Sequence, residues 1–392
     1  MLGFPGIPPL NFLQKGITNR SDLSREDKKR VMLLSCRGGN GHQSATDTIT
    51  SLFQGIYSTK IVYPMEVLQL GEYFSGVGMY NFLLQKYFLR TVSLMAALSY
   101  PVFRNILRGT FIRYFEDQIK RFRPDLIISV MPFINEPALI AAQRAKIPFL
   151  LVTVDNDLRN YFVDRDVRSL DPFKVTIGHE LPTTTGLLLE KGIASKDIML
   201  TGLPLRRGFR VEKPDRAELC IQLSLPEDKP IILIMMGGAC SYKADEYAEH
   251  LIRSDLGVHV VVVCGKNRKL LVDMIEKDHP FITPLGFISN ISDYMAVASL
   301  LITKPGPNTV EEAIQSRLPM LLDTENILSW EESSVELVLE ANIGKEIASS
   351  EKLDVLVKHM LDHQKDIKSS FDQFQANSFA ETIVEVSKEL LG

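Results

Sequence analysis

At 392 residues the chain is long enough for two ordinary domains, each with its own core. Apolar residues at 45% and charged residues at 23% exclude a disordered or collagen-like chain, and a net charge of -4 gives no overall basic footprint for nucleic acid. Four cysteines, Cys36, Cys220, Cys240 and Cys264, are scattered without CxxC spacing, which argues against a disulfide framework or metal site and suits reduced thiols in a cytosolic setting.

In chain order, the N-terminal stretch MLGFPGIPPLNFLQKG lacks the charged start and continuous apolar core of a secretory signal. No uncharged run approaches the roughly 20 residues that span a bilayer, so a soluble or peripheral protein is expected. RVMLLSC (30–36) reads as the first strand and runs into GGNGHQS (38–44), a glycine-rich strand-to-helix turn. Such a turn brings backbone N–H groups close to a phosphate or other ligand. Tested against the dinucleotide fingerprint GxGxxG, Gly39 and Gly41 fit but Ser44 stands at the third glycine, so an NAD-dependent oxidoreductase is disfavoured. His42 points instead to proton chemistry, since imidazole titrates near neutrality.

Further strands are predicted at KIVYP (60–64), DLIISV (125–130), PFLLVTV (148–154), KVTIG (174–178) and IMLTG (198–202). Between the first two, residues 82–124 carry eight basic and two acidic side chains interleaved with aromatic and aliphatic ones. That pattern fits a helix lying on an anionic leaflet, and equally a core helix with a solvated basic face. The charged stretch at 206–216 reads as an interdomain linker. The second half repeats the pattern with PIILIMMG (230–237), HVVVVCG (259–265), SLLIT (299–303) and PMLLD (319–323). Strands alternating with amphipathic stretches predict an α/β chain of two doubly wound, Rossmann-like domains, with ligands outside the carboxyl ends of the strands.

The glycine-containing turns at those ends are MMGGAC (235–240), CGKNRK (264–269) and TKPGPNTVEEA (303–313). In the last, Lys304 precedes a tight loop and Thr309 is expected to open a helix. Thr309 and Glu312 have capping-box spacing, so Glu312 has a purely structural reading. A helix N-terminus beside a lysine is also an anion site suited to a nucleotide diphosphate, with Glu312 placed to hold ribose hydroxyls. Both readings stand open on residue type.

The segment PLGFISNISDYMAVASLLITKPGPNTVEEAIQSRLPMLL resembles the donor-binding half of the monogalactosyldiacylglycerol synthase and processive diacylglycerol glucosyltransferase family. That family shares the GT-B fold with the peptidoglycan lipid-intermediate N-acetylglucosaminyltransferase. GNGHQSA, RPDLIISVMPF, TVDNDL, TGLPLRRGF, MMGGAC and VVVCGKNRKL follow in the family's order, over roughly residues 29–345.

The resemblance implies an inverting transfer of a hexose from a UDP-sugar to a lipid hydroxyl, most simply diacylglycerol. The UDP-sugar is the donor substrate, and neither cofactor nor metal is called for. His42 becomes the candidate general base, with Asp157 as a second cleft carboxylate that orients it or takes its role, and Gly39, Asn40 and Gly41 form the acceptor loop. Donor binding falls to Gly237, Gly238, Gly265, Asn267, Phe287, Lys304, Gly306, Asn308, Thr309, Glu312, Trp330 and Glu331. Gly237 and Gly238 would let the backbone approach the diphosphate, Phe287 would lie near the uracil, and Glu312 matches the ribose-binding glutamate. One departure stands out: the family's glycine-glutamine-glutamate run is here SWE, with Trp330 at the glutamine position and Glu331 kept. An indole offers one N–H and a flat face, and cannot copy an amide.

The implied organisation is an extension (1–29), an acceptor domain (30–205), a linker (206–216), a UDP-sugar domain (217–375) and a C-terminal helix (376–392) packing back on the first domain. The implied setting is the cytoplasmic, inner face of a membrane, reached through residues 82–124. Two rivals remain: a UDP-N-acetylglucosamine-dependent transferase with another acceptor, and a nucleotide-sugar-binding protein without transferase activity, for which Trp330 is the best argument.

Overall fold

The computed structural model describes residues 28–37, 40–68, 107–161, 172–210, 212, 214–237, 242–347 and 352–392. Residues 1–27, Gly39, Gly238, Cys240 and residues 82–106 of the basic segment lie outside them, as does the side chain of Asn40. The first of two parallel sheets holds β1 (Arg30–Leu34), β2 (Ser58–Val62), β3 (Leu126–Ser129), β4 (Phe149–Val152), β5 (Phe173–Ile177) and β6 (Ile198–Leu200), in the order β2-β1-β3-β4-β5-β6. The second holds β7 (Ile231–Met235), β8 (His259–Gly265), β9 (Ile282–Gly286), β10 (Leu300–Thr303), β11 (Met320–Leu322) and β12 (Gly344–Glu346), in the order β12-β11-β10-β7-β8-β9.

The helices of the first half are α1 (Asn40–Phe53), α2 (Arg108–Phe122), α3 (Asn135–Ala145) and α4 (Leu187–Glu190). Those of the second are α5 (Arg216–Leu223), α6 (Lys243–Arg253), α7 (Arg268–Glu276), α8 (Ile291–Val297), α9 (Pro307–Gln315), α10 (Glu332–Glu340), α11 (Leu353–Asp362), α12 (Gln364–Ser370) and α13 (Phe379–Leu391).

The central strands β1, β3, β4, β7 and β8 are aliphatic runs buried along their length apart from a terminal residue. Strands covered by helices on both faces need such sequences. Two strands go beyond those predicted. ITPLG carries Pro284, which a strand tolerates because β9 is the sheet's edge, and GKE of β12 has no apolar run to announce it.

Each sheet reverses its winding once, between β1 and β3 in the first and between β7 and β10 in the second. Such switch points open a crevice at the strand ends. The chain passes between the two halves twice. After β6, Leu205 and Phe209 already belong to the second core, so part of the stretch read as linker is packed. Near the C-terminus, Phe371 lies in the second core, while Phe379, Ile383, Val386 and Leu390 form a helical stripe buried in the first.

Gly202 sits where these crossings meet, at φ +78°, and a Cβ there would stand 2.2 Å from Asn377 Nδ2 and 2.7 Å from Glu311 Oε1. Asn377 Nδ2 donates to Leu203 O at 2.9 Å and to Glu311 Oε1 at 2.6 Å, and His179 Nε2 meets Glu311 Oε2 at 2.8 Å. Gly202→Ala combines left-handed backbone strain with overpacking of this buried network, and is expected to cost about 3 kcal/mol. An unchanged urea midpoint would show that the crossings yield freely.

Helix α2 corrects the membrane-lying reading for its part of the basic segment. Phe111, Phe115 and Ile119 recur at helical spacing and are buried in the first core. Arg113, Lys120, Arg121 and Arg123 stay exposed. The apolar stripe faces the protein, so this stretch is a core helix with a solvated basic face. Among the described residues no helix is long and apolar enough to cross a membrane.

Candidate functional site

Strand β1 delivers the chain to the switch point of the first sheet, where α1 begins. Ser35 Oγ lies 2.5 Å from Thr46 Oγ1, which also reaches His42 O at 2.7 Å, so the first turns of α1 are fastened to the strand end. His42 is half-buried, and its Nδ1 lies 2.8 Å from Val130 O at the end of β3. A carbonyl only accepts, so Nδ1 carries the hydrogen and Nε2 is the basic nitrogen of the neutral ring.

Asp155, two residues before Asp157, lies near enough to His42 for their charges to interact. Burial pushes the Asp155 carboxyl up, the nearby His42 pulls it down, and Asp157 pushes it further up. Tyr161 Oη donates to Asp155 Oδ2 at 2.8 Å and accepts from Val154 N at 3.2 Å, which fixes the side chain. Asp157, the residue expected to orient His42, is buried and engaged elsewhere. Arg159 Nε donates to both its oxygens at 3.0 and 2.8 Å, and Arg159 Nη2 donates to Oδ2 at 2.5 Å. The sequence VDND contains both aspartates, and nothing in their spacing shows which one a nearby guanidinium will claim.

In the second sheet, Thr303 Oγ1 donates to Met235 O at 2.7 Å, joining the ends of β10 and β7 at the other switch point. The expected capping box is not formed. Gly306 is the N-cap of α9 and Pro307 follows it, so Thr309 lies inside the first turn, and no side chain caps the helix. Proline suits the first helical position because its missing N–H would be unpaired there anyway. With no acidic residue in that turn, the remaining N–H groups and the helix dipole favour an anion. Asn308 Oδ1 is buried without a hydrogen-bond partner. A Cβ on Gly41 would come within 3.2 Å of Asn308 Nδ2, so the starts of α1 and α9 meet across the cleft.

Glu312 is one turn deeper in α9 and buried. It is held from the first crossing, with Arg206 Nε donating to Oε1 at 2.7 Å and Arg206 Nη2 at 2.6 Å from the same oxygen. Burial pushes its carboxyl up, while Arg206 pulls it down. Lys304 is not the solvated lysine that residue type suggests. Its amine donates to Asn326 O at 3.1 Å, and burial pulls it down against the opposing charges of Glu331 and Asp323.

Glu331 Oε2 accepts from Leu328 N at 2.8 Å, which closes the turn carrying the partly buried Trp330. Burial raises the Glu331 carboxyl; Leu328 N–H and Lys304 lower it, and Asp155 of the first half raises it again, so the two strand-end clusters feel each other. Gly237, at φ +82°, ends β7 with open space where a side chain would project. Gly265 ends β8 at φ +57°. The side chain of Asn267 caps α7, its Oδ1 accepting from Leu270 N at 3.1 Å. Phe287 is 68% exposed just past β9. Asp155, Arg159 and Arg206 are the site residues that sequence reasoning passed over; the last lay within the stretch read as linker.

Two parallel, doubly wound sheets with a histidine at one switch point and an open helix N-terminus at the other have the GT-B architecture, and the similarities that follow make the chain a glycosyltransferase. Solved structures share the fold: MurG of Acinetobacter baumannii superposes with a TM-score of 0.57 at 14% identity, covering 92% of this chain and 99% of that one. TcCGT1, solved in complex with UDP, gives a TM-score of 0.58 at 14% identity over 93% of this chain and 99% of its own. Residues 239–386 match the glycosyltransferase family 28 C-terminal domain. Among curated relatives, a processive diacylglycerol beta-glucosyltransferase of Bacillus licheniformis is 28% identical over 85% of this chain and 90% of its own length. A probable chloroplastic monogalactosyldiacylglycerol synthase of Nicotiana tabacum is 25% identical over 90% of this chain and 68% of its own. The family resemblance read from the motifs therefore extends over most of the chain.

Proposed function

We propose that the chain transfers a hexose from a UDP-sugar to the free hydroxyl of diacylglycerol at a membrane surface, with inversion at the anomeric carbon. The observation that carries this reading is the pairing across the cleft: His42, with Nδ1 fixed on Val130 O and Nε2 free to act as a base, opposite the uncapped N-terminus of α9. The names of the relatives supply the acceptor class.

In this mechanism Nε2 of His42 takes the proton of the acceptor hydroxyl as its oxygen attacks the anomeric carbon. The carbon–oxygen bond to UDP breaks on the opposite face, which inverts the centre. Asp155 stabilises the imidazolium formed, and Tyr161 keeps Asp155 in place. The diphosphate leaves against the N-terminus of α9, where fixed N–H donors need no reorganisation as charge develops. Glu312 holds the ribose hydroxyls, Phe287 and its neighbours lie by the uracil, and Trp330 and Glu331 face the hexose. The exposed basic face of α2 supports an anionic surface as the place of action, through charge rather than insertion.

The test is UDP release from UDP-glucose, UDP-galactose and UDP-N-acetylglucosamine, each with and without anionic vesicles containing diacylglycerol. Release with one hexose donor that depends on the lipid is expected. Lipid-independent release, or UDP binding with no turnover of any donor, would replace this reading with another acceptor or with a binding protein.

A further inference from the structure

We propose that Arg159 is a positioning residue for the choice of donor sugar, an inference that rests on the transferase reading above. The segment after β4 faces two ways. Asp155 serves His42, while the residues that follow reach the second half of the chain. Asn156 Nδ2 donates to Ser334 Oγ at 3.2 Å, with both residues fully buried. Arg159 Nη2 donates to Ser329 O at 3.3 Å and stands 3.9 Å from Glu332.

Trp330 and Glu331 lie between Ser329 and Glu332. The turn that would read the hexose is thus held from the first half of the chain on both sides, and from within by the Leu328–Glu331 bond. A partner that positions must itself be fixed. Arg159 is fixed by Asp157, a carboxylate 1% exposed that takes three guanidinium bonds and also accepts from the arginine's own backbone N–H at 2.9 Å. The arginine is 55% exposed, so the pair adds little to stability. Its value is geometric: a planar fork with one orientation.

Hexoses that differ at one hydroxyl are told apart by polar groups set to bond one and leave the other unsatisfied. Where a residue's backbone is pinned, its side chain presents one geometry to the sugar. Because the contact from Arg159 goes to a main-chain oxygen, the arginine sets the place of Trp330 and Glu331 without touching the sugar.

The test compares the full-length wild type with Arg159→Ala, Arg159→Lys and the double variant Asp157→Asn/Arg159→Ala. The double variant removes the buried charge together with its partner and guards against misfolding. For each, kcat and KM are measured with UDP-glucose, UDP-galactose and UDP-N-acetylglucosamine on diacylglycerol vesicles, and UDP affinity by calorimetry. Expected is a wild-type preference among donors that shrinks roughly tenfold in the alanine and double variants, with UDP affinity within about twofold. Lysine, a point charge without the fork, should restore little of the preference. A preference unchanged in the double variant, a fall in UDP affinity that matches the fall in kcat/KM, or a wild type indifferent to the donors would overturn the proposal. A wild type that turns over no donor would overturn the transferase reading, and this inference with it.

Discussion

Replacing His42 with alanine is expected to lower kcat by about 10²–10⁴-fold and to leave UDP affinity nearly unchanged, measured by UDP release and calorimetry on the same preparation. The split follows from the architecture: the base stands at the switch point of the first sheet, and the anion site belongs to α9 in the second. Only the tautomer with Nδ1–H on Val130 O leaves Nε2 to accept a proton, so a side chain that cannot hold that bond loses orientation as well as basicity. Asp155→Asn separates the two contributions, because the amide oxygen can still accept from Tyr161 while the charge is gone. Burial places the Asp155 carboxyl above the usual 3.8. Activity that depends on its charge is lost as pH falls through that raised value, and Asp155→Asn should lack that contribution at every pH while the need for an unprotonated base remains. Full turnover by His42→Ala would remove the base from His42.

Most of the architecture was legible in the residues because it rests on burial. Aliphatic runs mark strands that must be covered on both faces, and they fell where β1, β3, β4, β7 and β8 lie. The site was legible only as far as chain-local geometry reaches. A glycine-rich turn announces a close approach, and His42 beside it lies next to Gly41, which faces Asn308 across the cleft. What is set by partners distant in sequence was not legible. Asp155 comes within reach of the charge of His42 from more than a hundred residues away, and Arg159 claims the neighbouring Asp157. Glu312 illustrates the limit best. Its spacing from Thr309 suggests a capping box, yet Gly306-Pro307 starts the helix earlier, and the carboxylate is taken by an arginine 106 residues away.

Glu312→Gln is the second large effect, expected to raise the KM for UDP-sugar by about 10- to 100-fold, as loss of one or two charge-assisted hydrogen bonds to ribose hydroxyls would. The occupied state of Glu312 sharpens this expectation. Arg206 holds only Oε1, so a ribose would bond Oε2 of the same carboxylate, and donor binding would report to the first interdomain crossing, where Arg206 sits. Glutamine keeps the shape and loses the charge, so kcat should fall less than kcat/KM. The same variant carries a signature in stability. Burial raises the folded carboxyl above its ordinary 4.5 even with Arg206 opposing. A carboxyl raised by folding adds stability that is fully present below the unfolded value and lost as pH rises through the folded one. Wild type should therefore lose ground to Glu312→Gln as pH increases from 4.5 through that raised value, read as the difference in urea midpoints. A shifted stability profile with an unchanged KM would leave Glu312 as a carboxylate of the interdomain crossing alone, and the ribose would have to be held elsewhere in the cleft.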